Sequence, residues 1–414
     1  MRMTLMLPAI LAAVFCALPL CAEPQALTLQ QAIDKTLQHN PQLHQFKFTQ
    51  QRLLAERDVQ SLKPGYQLGV ELENVAGTGE ARGLAGAELT VALSSVIELD
   101  NKAQWRAAVV DARLNTLDWQ QQAQTLDVLA ELTRNYINLL ASQQELTLTE
   151  EAVELSEALL QSAEKRAASG ALSDAEIMRA KAQLAQVQIG RDALLQRIER
   201  QKIAIARFWG DTSANFNVVA GNLFAFGQSR PFAELYQRLQ QSPALTIFAS
   251  ERRLKDAEVR LAQSQNRADL SWQVGVRRYQ ASDDTGLTFG ISVPLFAERR
   301  NSAAIEAALA ERNNVEYRQQ DSLLILHERL FDAYSQRQQF ITSHQQLAQY
   351  VIPNLEQALD LTRDAYQRGR SNYQDWLNAQ QELLQAKRQI LETATAVLLS
   401  QATIEQLTAE PVTQ

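Results

Sequence analysis

The chain has 414 residues with 15 glycines, 10 prolines and two cysteines, and a formal net charge of −7. So few turn-forming residues over that length exclude a string of small globular domains and point to long uninterrupted elements. The acidic balance excludes nucleic acid as a partner, because phosphate binding needs a basic surface.

In chain order, the first segment is Met1-Arg2-Met3, an apolar run from Leu5 to Leu20, then Cys21-Ala22-Glu23. This is the layout of a secretory signal, expected over residues 1–22 with cleavage after Ala22. Both cysteines, Cys16 and Cys21, fall inside it, so the mature chain offers neither a disulfide nor a thiolate. The alternative is a lipid-bearing Cys21, against which Leu18-Pro-Leu-Cys21 puts a leucine where a small residue normally precedes such a cysteine. After residue 22 no apolar run approaches the roughly 20 residues of a membrane-spanning helix, so any contact with a bilayer is through strands.

Leu27 to Ile33 begins a short helix, and Pro41 opens a second that runs to about Leu62, where Lys63-Pro-Gly65 ends it. The apolar period then changes to two. Leu68, Val70 and Leu72 alternate with Gly69, Glu71 and Glu73, and Leu89, Val91 and Leu93 alternate with Glu88, Thr90, Ala92 and Ser94. With the loop Gly77 to Gly83 between them, they predict a hairpin over about 66–97 with one apolar face. A second hairpin, over about 270–296, sets Trp272, Val274 and Val276 against Gln273, Gly275 and Arg277, then Leu287, Phe289, Ile291 and Val293 against Thr288, Gly290 and Ser292. Each strand is expected to be about ten residues, the length of a tilted bilayer crossing.

Strands in hydrocarbon must close into a barrel, and the smallest barrels use about eight strands. One chain supplies four, so closure requires several chains, with Glu71, Glu73, Glu88 and Arg277 facing a polar, mostly acidic lumen. The competing reading of the same periodicity is a soluble sheet packed on a helix.

Each hairpin is followed by a helical stretch almost without breakers, from about Lys102 to Ala168 and from about Arg299 to Arg368, each about 100 Å long at 1.5 Å per residue. Leu132, Leu139, Leu146, Val153 and Leu160 recur every seven residues. In the last helix Leu377, Leu384, Leu391 and Leu398 run beside Leu383, Ile390, Val397 and Ile404. Sevenfold spacing makes helices supercoil, and two adjacent stripes require more than one partner. Pro353 is expected to kink or locally break the second long helix.

The chain also repeats itself about two hundred residues apart. Gln38-His-Asn-Pro-Gln-Leu43 is echoed by Gln240-Gln-Ser-Pro-Ala-Leu245, and the segment from Gly170 to Ala180 by that from Gly369 to Ala379. Two structural repeats are expected, 23–220 with a helix pair over about 102–208 and 221–414 with a helix pair over about 299–409.

These residues resemble the TolC family of trimeric outer-membrane efflux channels over essentially the whole mature chain. The repeated Pro-x-Leu, the Gly-x-x-Ser/Asn-x-x-Glu/Asp turn before each final helix, and Pro353 followed by Ala365-Tyr366-Gln-Arg-Gly369 carry the match. Within the family the chain is most similar to the CzcC-type branch, which serves resistance-nodulation-division (RND) pumps exporting metal cations. That match rests on Glu71-Leu-Glu-Asn74, Val96 to Lys102 and Ile291-Ser-Val-Pro-Leu-Phe296, although the branch usually has two glycines where Asp100 and Asn101 stand. The resemblance implies a mainly α fold with membrane β-hairpins, a homotrimer sharing a twelve-stranded β-barrel in outer-membrane lipid, and a long α-helical periplasmic barrel. It further implies a Gram-negative outer-membrane location, a periplasmic adaptor of the membrane fusion type and an inner-membrane RND pump as partners, no cofactor, and no enzymatic activity.

The resemblance puts the narrow periplasmic end at the helix turns, with Gly170, Ser173, Gly369 and Asn372 as the adaptor-docking tip. Asp375 matches an acidic position that rings the family's closed entrance; Asn378 replaces a second acid three residues on, so a single ring is implied. Glu176 aligns with Asp375 in the first repeat, and Arg368 and Arg370 flank Gly369 as candidate gate tethers. The same residues have a plainer reading: Ser173-Asp-Ala-Glu176 and Asn372-Tyr-Gln-Asp375 are capping-box sequences, and basic side chains at a helix C-terminus are favoured by its dipole. The four histidines, His39, His44, His327 and His344, have no metal-ligand spacing on a helix and are expected at the surface. Two other readings stay open beside the metal-pump duct: an outer-membrane channel for drug efflux or type I protein secretion, and a soluble periplasmic coiled-coil scaffold.

Overall fold

The structure, a computed structural model, describes residues 26–168 and 173–410. Two short helices, α1 (Leu29–His39) and α2 (Pro41–Ser61), lead into strands β1 (Gln67–Glu73) and β2 (Glu88–Ile97), then α3 (Lys102–Ala168) and α4 (Asp174–Ala206). The order recurs with α5 (Phe232–Gln240), α6 (Pro243–Ser264), β3 (Leu270–Tyr279), β4 (Asp284–Ser292), α7 (Ala297–Gln346), α8 (Ile352–Gln367) and α9 (Tyr373–Thr408).

Local chemistry explains most boundaries. Thr28 caps α1 with a capping box to Gln31, and the Asn40 side chain accepts the amides of Gln42 and Leu43 at the start of α2, where Pro41 needs no acceptor. The helix break expected at Pro353 takes the form of a π-helical turn, Leu347–Val351, between α7 and α8. Proline lacks the amide that would bond four residues back, and the wider turn absorbs its ring. Strand β1 is seven residues long, shorter than the ten expected, because Asn74 and Ala76 adopt left-handed backbone and end the pairing.

All four strands form one antiparallel sheet in the order β1-β2-β3-β4. The register joins the two hairpins into continuous rows: Val70 faces Val91, which faces Val276, which faces Leu287. The next row holds Leu68, Leu93, Val274 and Phe289. On the other face Glu71, Thr90, Arg277 and Gly286 line up, as do Glu73, Glu88, Tyr279 and Asp284. One face is thus apolar and the other polar across the full width. At the centre of the polar face, Gly275 lies so close to the Val91 carbonyl that a Cβ would sit 2.7 Å from it.

The helices pack as an open layer. Near the sheet the order of contact is α2, α3, α6, α7; towards the far end it is α4, α3, α9, with α7 and α8 on α9. Four apolar clusters hold this together. The largest joins Leu132 and Leu139 of α3 to Leu194 and Ile205 of α4 and to Phe216 and Leu223 of the segment between the repeats. Leu27 forms a parallel bridge with Val219, and the Tyr136 hydroxyl lies 2.7 Å from the Leu27 carbonyl and also reaches that of Ala220. Burial pushes this phenol up to about 12. A second cluster joins Leu235, Leu245, Leu330 and Ile404, and a third lies at the helical tip. The fourth packs Leu53 of α2 on Val110 and Leu117 of α3.

Asp100 and Asn101, which stand where glycines are usual, both have positive φ, at 63° and 54°. Asp and Asn tolerate this left-handed turn better than other side chains, which explains why the departure is accommodated. Replacing Asn101 with valine is expected to cost about 1–2 kcal/mol while glycine there is tolerated, a contrast readable in thermal melts. Beside this turn Lys102 donates to the Arg267 carbonyl at 2.6 Å and to Asp269 at 2.7 Å, and Arg106 pairs with Glu98 at 2.6 Å, fixing α3 against the sheet.

Candidate channel elements: the polar sheet face and the helical tip

The two ends of the molecule carry the residues that bear on transport. At the sheet, Arg277 of β3 reaches across two strands on the polar face. Its Nη2 lies 2.8 Å from Glu73 of β1, its Nη1 2.9 Å from Glu88 of β2, and its Nε donates to the Thr90 hydroxyl at 2.9 Å. Asn74 adds a bond to the other Glu88 oxygen at 3.0 Å. The first-repeat carboxylates are therefore partly neutralised by a second-repeat cation, which makes this face less acidic than its composition suggests; Glu71 remains exposed beside them. The opposite face is exposed and apolar through Leu68, Val70, Leu89, Val91, Leu93, Val274, Val276, Leu287, Phe289 and Ile291. Tyr66 and Trp272 meet edge to face at one border, as aromatic residues do at a membrane interface. Among the described residues, no helix is long and apolar enough to cross a membrane.

At the tip, α8 ends in a left-handed turn at Gly369, with the Gly369 amide donating to Tyr366 and the Arg370 amide to Ala365. Both predicted capping boxes form. The Ser173 amide donates to Glu176 at 3.2 Å; the Asp375 amide donates to the Asn372 side chain at 2.8 Å, and the Asn372 amide to the Asp375 carboxylate at 3.2 Å. The Ser371 hydroxyl also donates to Asp375 at 2.8 Å. That bond, then the Asn372 amide, holds the Asp375 carboxyl below its usual range. A depressed carboxylate contributes to stability above its unfolded pKa and loses that contribution as pH falls through the folded value. Asp375 is thus charged at any neutral or mildly acidic pH while staying exposed at the helix start.

Arg368 lies 3.9 Å from Asp364 of its own helix, and among the described residues neither it nor Arg370 bridges to the other hairpin. The bridge comes instead from Arg166, near the end of α3. Its Nη1 donates to the Tyr366 carbonyl at 2.9 Å, and its guanidinium lies 4.3 Å from the centre of the Tyr366 ring. Tyr366, Tyr373 and Trp376 pack there with Leu159 and Ala180. Burial pushes both phenols upward, and the neighbouring Arg166 guanidinium opposes that shift at Tyr366. No periodic signal marks Arg166, but Tyr366 lies inside the Ala365 to Gly369 motif. Gly170 of the tip and Cys21 of the leader lie outside the described residues.

His327 is exposed, as expected, whereas His344 is half-buried, and both pack on aromatic rings. His344 packs on Phe224 and Phe226, with centroids 5.6 and 4.9 Å away, and His327 on Phe232 and Tyr236. Burial pulls the His344 imidazole below its ordinary value. Among the described residues no three His, Cys, Asp or Glu side chains converge as a metal site.

A sheet that is apolar on one face and polar on the other, standing on helices about 100 Å long, defines a subunit of an outer-membrane channel with a helical periplasmic tunnel. The chain belongs to the outer membrane efflux protein family, whose profile matches residues 32–211 and 235–410. It is 26% identical over 297 residues, 70% of each chain, to the cobalt-zinc-cadmium resistance protein CzcC of Cupriavidus metallidurans. Its fold matches the solved structure of CusC with a TM-score of 0.76 at 16% identity, covering 92% of this chain and 91% of that one. A membrane protein from Pseudomonas aeruginosa gives a TM-score of 0.76 at 16% identity over 92% and 93%. The outer membrane protein VceC from Vibrio cholerae gives 0.72 at 18% over 92% and 95%. The protein is an outer-membrane efflux channel and not an enzyme.

Proposed function

We propose that three copies of this chain form a passive exit duct for a tripartite RND-type pump that expels metal cations. The observation that carries the cargo is the likeness to the cobalt-zinc-cadmium resistance protein over 70% of both chains.

Open edges support closure by copies. Strands β1 and β4 each lack a partner on one side, which hydrocarbon does not tolerate. Up–down alternation makes β4 of one copy antiparallel to β1 of the next, so three copies give twelve strands. The helical layer is open in the same places. Tyr317 and Leu324 of the edge helix α7 are 71% and 70% exposed and lie seven residues apart, with Phe331 continuing the stripe. Phe48 and Val59 of α2 and Leu62 just after it are exposed on the opposite edge. A sevenfold apolar stripe on α7 and exposed apolar residues along α2 fit a seam between copies. A soluble scaffold leaves the apolar sheet face without a partner.

In this reading the polar sheet face lines the barrel, with Glu71, Glu73, Glu88 and Arg277 in its wall. The helical tip is the periplasmic entrance. Asp375 of each copy stands near the axis there, while Glu176, Arg368 and Arg370 surround it, and the turns at Gly170, Ser173, Gly369 and Asn372 meet the adaptor. The mature chain starts at Glu23, and the repeats divide at 220/221. Energy comes from the inner-membrane pump.

Light scattering of the detergent-extracted protein is expected to give the mass of three chains; a monomer in non-denaturing detergent contradicts the duct. In planar bilayers Asp375→Ala is expected to raise the leak conductance several-fold, and an unchanged single-channel current removes Asp375 from the gate.

A further inference from the structure

We propose that Arg277 is a built-in counter-cation of the barrel lumen: by pairing with Glu73 and Glu88 it weakens the pull of the exit on outgoing metal ions, and it leaves Glu71 as the free acid of the wall. The proposal rests on the reading of the polar sheet face as the wall of a water-filled duct.

The strand register creates the charge that Arg277 answers. Glu73 and Glu88 stand directly opposite each other on β1 and β2, a like-charge pair that destabilises an antiparallel ladder. Both lie at the end of the sheet away from the helices, because β1 leads out from α2 and β2 leads back to α3. In a duct of three copies this end is the exit, and each copy brings one such pair to it. A low-dielectric wall focuses their field on the lumen, and a pore conducts only if its ions are held weakly enough to leave.

Arg277 and Arg278 are the only bases in the four strands. Arg278 shares the apolar face with its partner Leu89 and pairs with Asp283 of the turn, so Arg277 alone serves the polar face of the sheet. Its guanidinium lies within 2.9 Å of both carboxylates. Thr90, its partner across the strands, accepts from Nε and so aims the fork at them. Glu71, in the same row, is exposed and has no ion-pair partner among the described residues. One cation thus covers the two opposed acids and leaves the third open to water.

The test reads the potential of the lumen through a cysteine at Thr288, which faces Gly275 and lies two positions along β4 from the partner of Arg277. Assembled, detergent-extracted trimers are treated with a cationic and an anionic methanethiosulfonate reagent, with the unsubstituted protein as blank. Adding Arg277→Gln to Thr288→Cys is expected to raise the cationic-to-anionic rate ratio about fivefold, the scale of one charge removed about 8 Å from oppositely charged probes in water. Arg277→Lys keeps the charge and should leave the ratio near that of Thr288→Cys alone, a rescue that a purely structural role does not give. Glu71→Gln should lower the ratio. Should Arg277→Gln not assemble, Glu73→Gln leaves the cation in excess and should lower the ratio by a similar factor. An unchanged ratio in Arg277→Gln, or in Glu73→Gln where that variant has to stand in, overturns the proposal; if Glu71→Gln still moves the ratio, the lumen stands without it. Thr288→Cys unreactive to both reagents removes the water-filled lumen, and the proposal with it.

Discussion

Arginine in place of Val91 is expected to remove the assembled protein from the outer membrane. Val91 occupies the middle of the apolar face, with Val70 on one side and Val276 on the other. A positive charge facing lipid at that depth costs about 2–4 kcal/mol. In the proposed trimer three copies multiply the cost to about 6–12 kcal/mol, comparable to the whole stability of many folded proteins. Gln273→Arg supplies the control, since Gln273 lies on the polar face between Ser94 and Gly290 and puts its charge into the lumen. Gels of unheated outer-membrane fractions should show the oligomer for Gln273→Arg and none for Val91→Arg. Equal recovery of both contradicts the assignment of the two faces.

The second large effect lies at the junction of the repeats. Arg337 of α7 is only 2% exposed. It donates to the Gly227 carbonyl at 2.6 Å and to the Ser229 hydroxyl, pinning the segment between the repeats to the helix wall. Burial draws its pKa down, and the carboxylate of Glu405 on α9, itself 2% exposed, opposes that shift. Arg337→Leu frees the segment between the repeats and removes the cation opposite a buried acid, a loss of about 3–5 kcal/mol. The variant should melt well below wild type and become sensitive to protease between residues 210 and 231. Arg337→Lys keeps the charge without the fork and should lie between them. A melting point equal to wild type places the stability of this junction elsewhere.

The elements that could be read in the sequence are those whose signal is local. The hairpins show as a period of two, the long helices as an absence of glycine and proline, and the tip as two capping boxes, all carried by residues within a few positions of one another. The ends of β1 were less visible, because an alanine in left-handed backbone, as at residue 76, has no compositional mark. What escaped is what depends on distant pairs. Arg277 lies 189 positions from Glu88, and Arg166 lies 200 from Tyr366, so no window of sequence joins them. Arg368 and Arg370 are marked locally, because they flank a glycine turn. The side chain that bridges the hairpins is an unremarked arginine in the last turn of α3. His344 shows the same blindness, since the phenylalanines that bury it lie more than a hundred residues away.

The central claim, an exit duct for metal cations, is tested most directly by deleting the chain in its host. Growth and cell-associated metal would then be measured with cobalt, zinc and cadmium, beside dyes, detergents and antibiotics. Hypersensitivity and metal retention confined to the metal ions, reversed by the wild-type gene, are the predicted result. Normal growth on every metal with sensitivity only to organic compounds contradicts the metal cargo and leaves the channel serving a different pump.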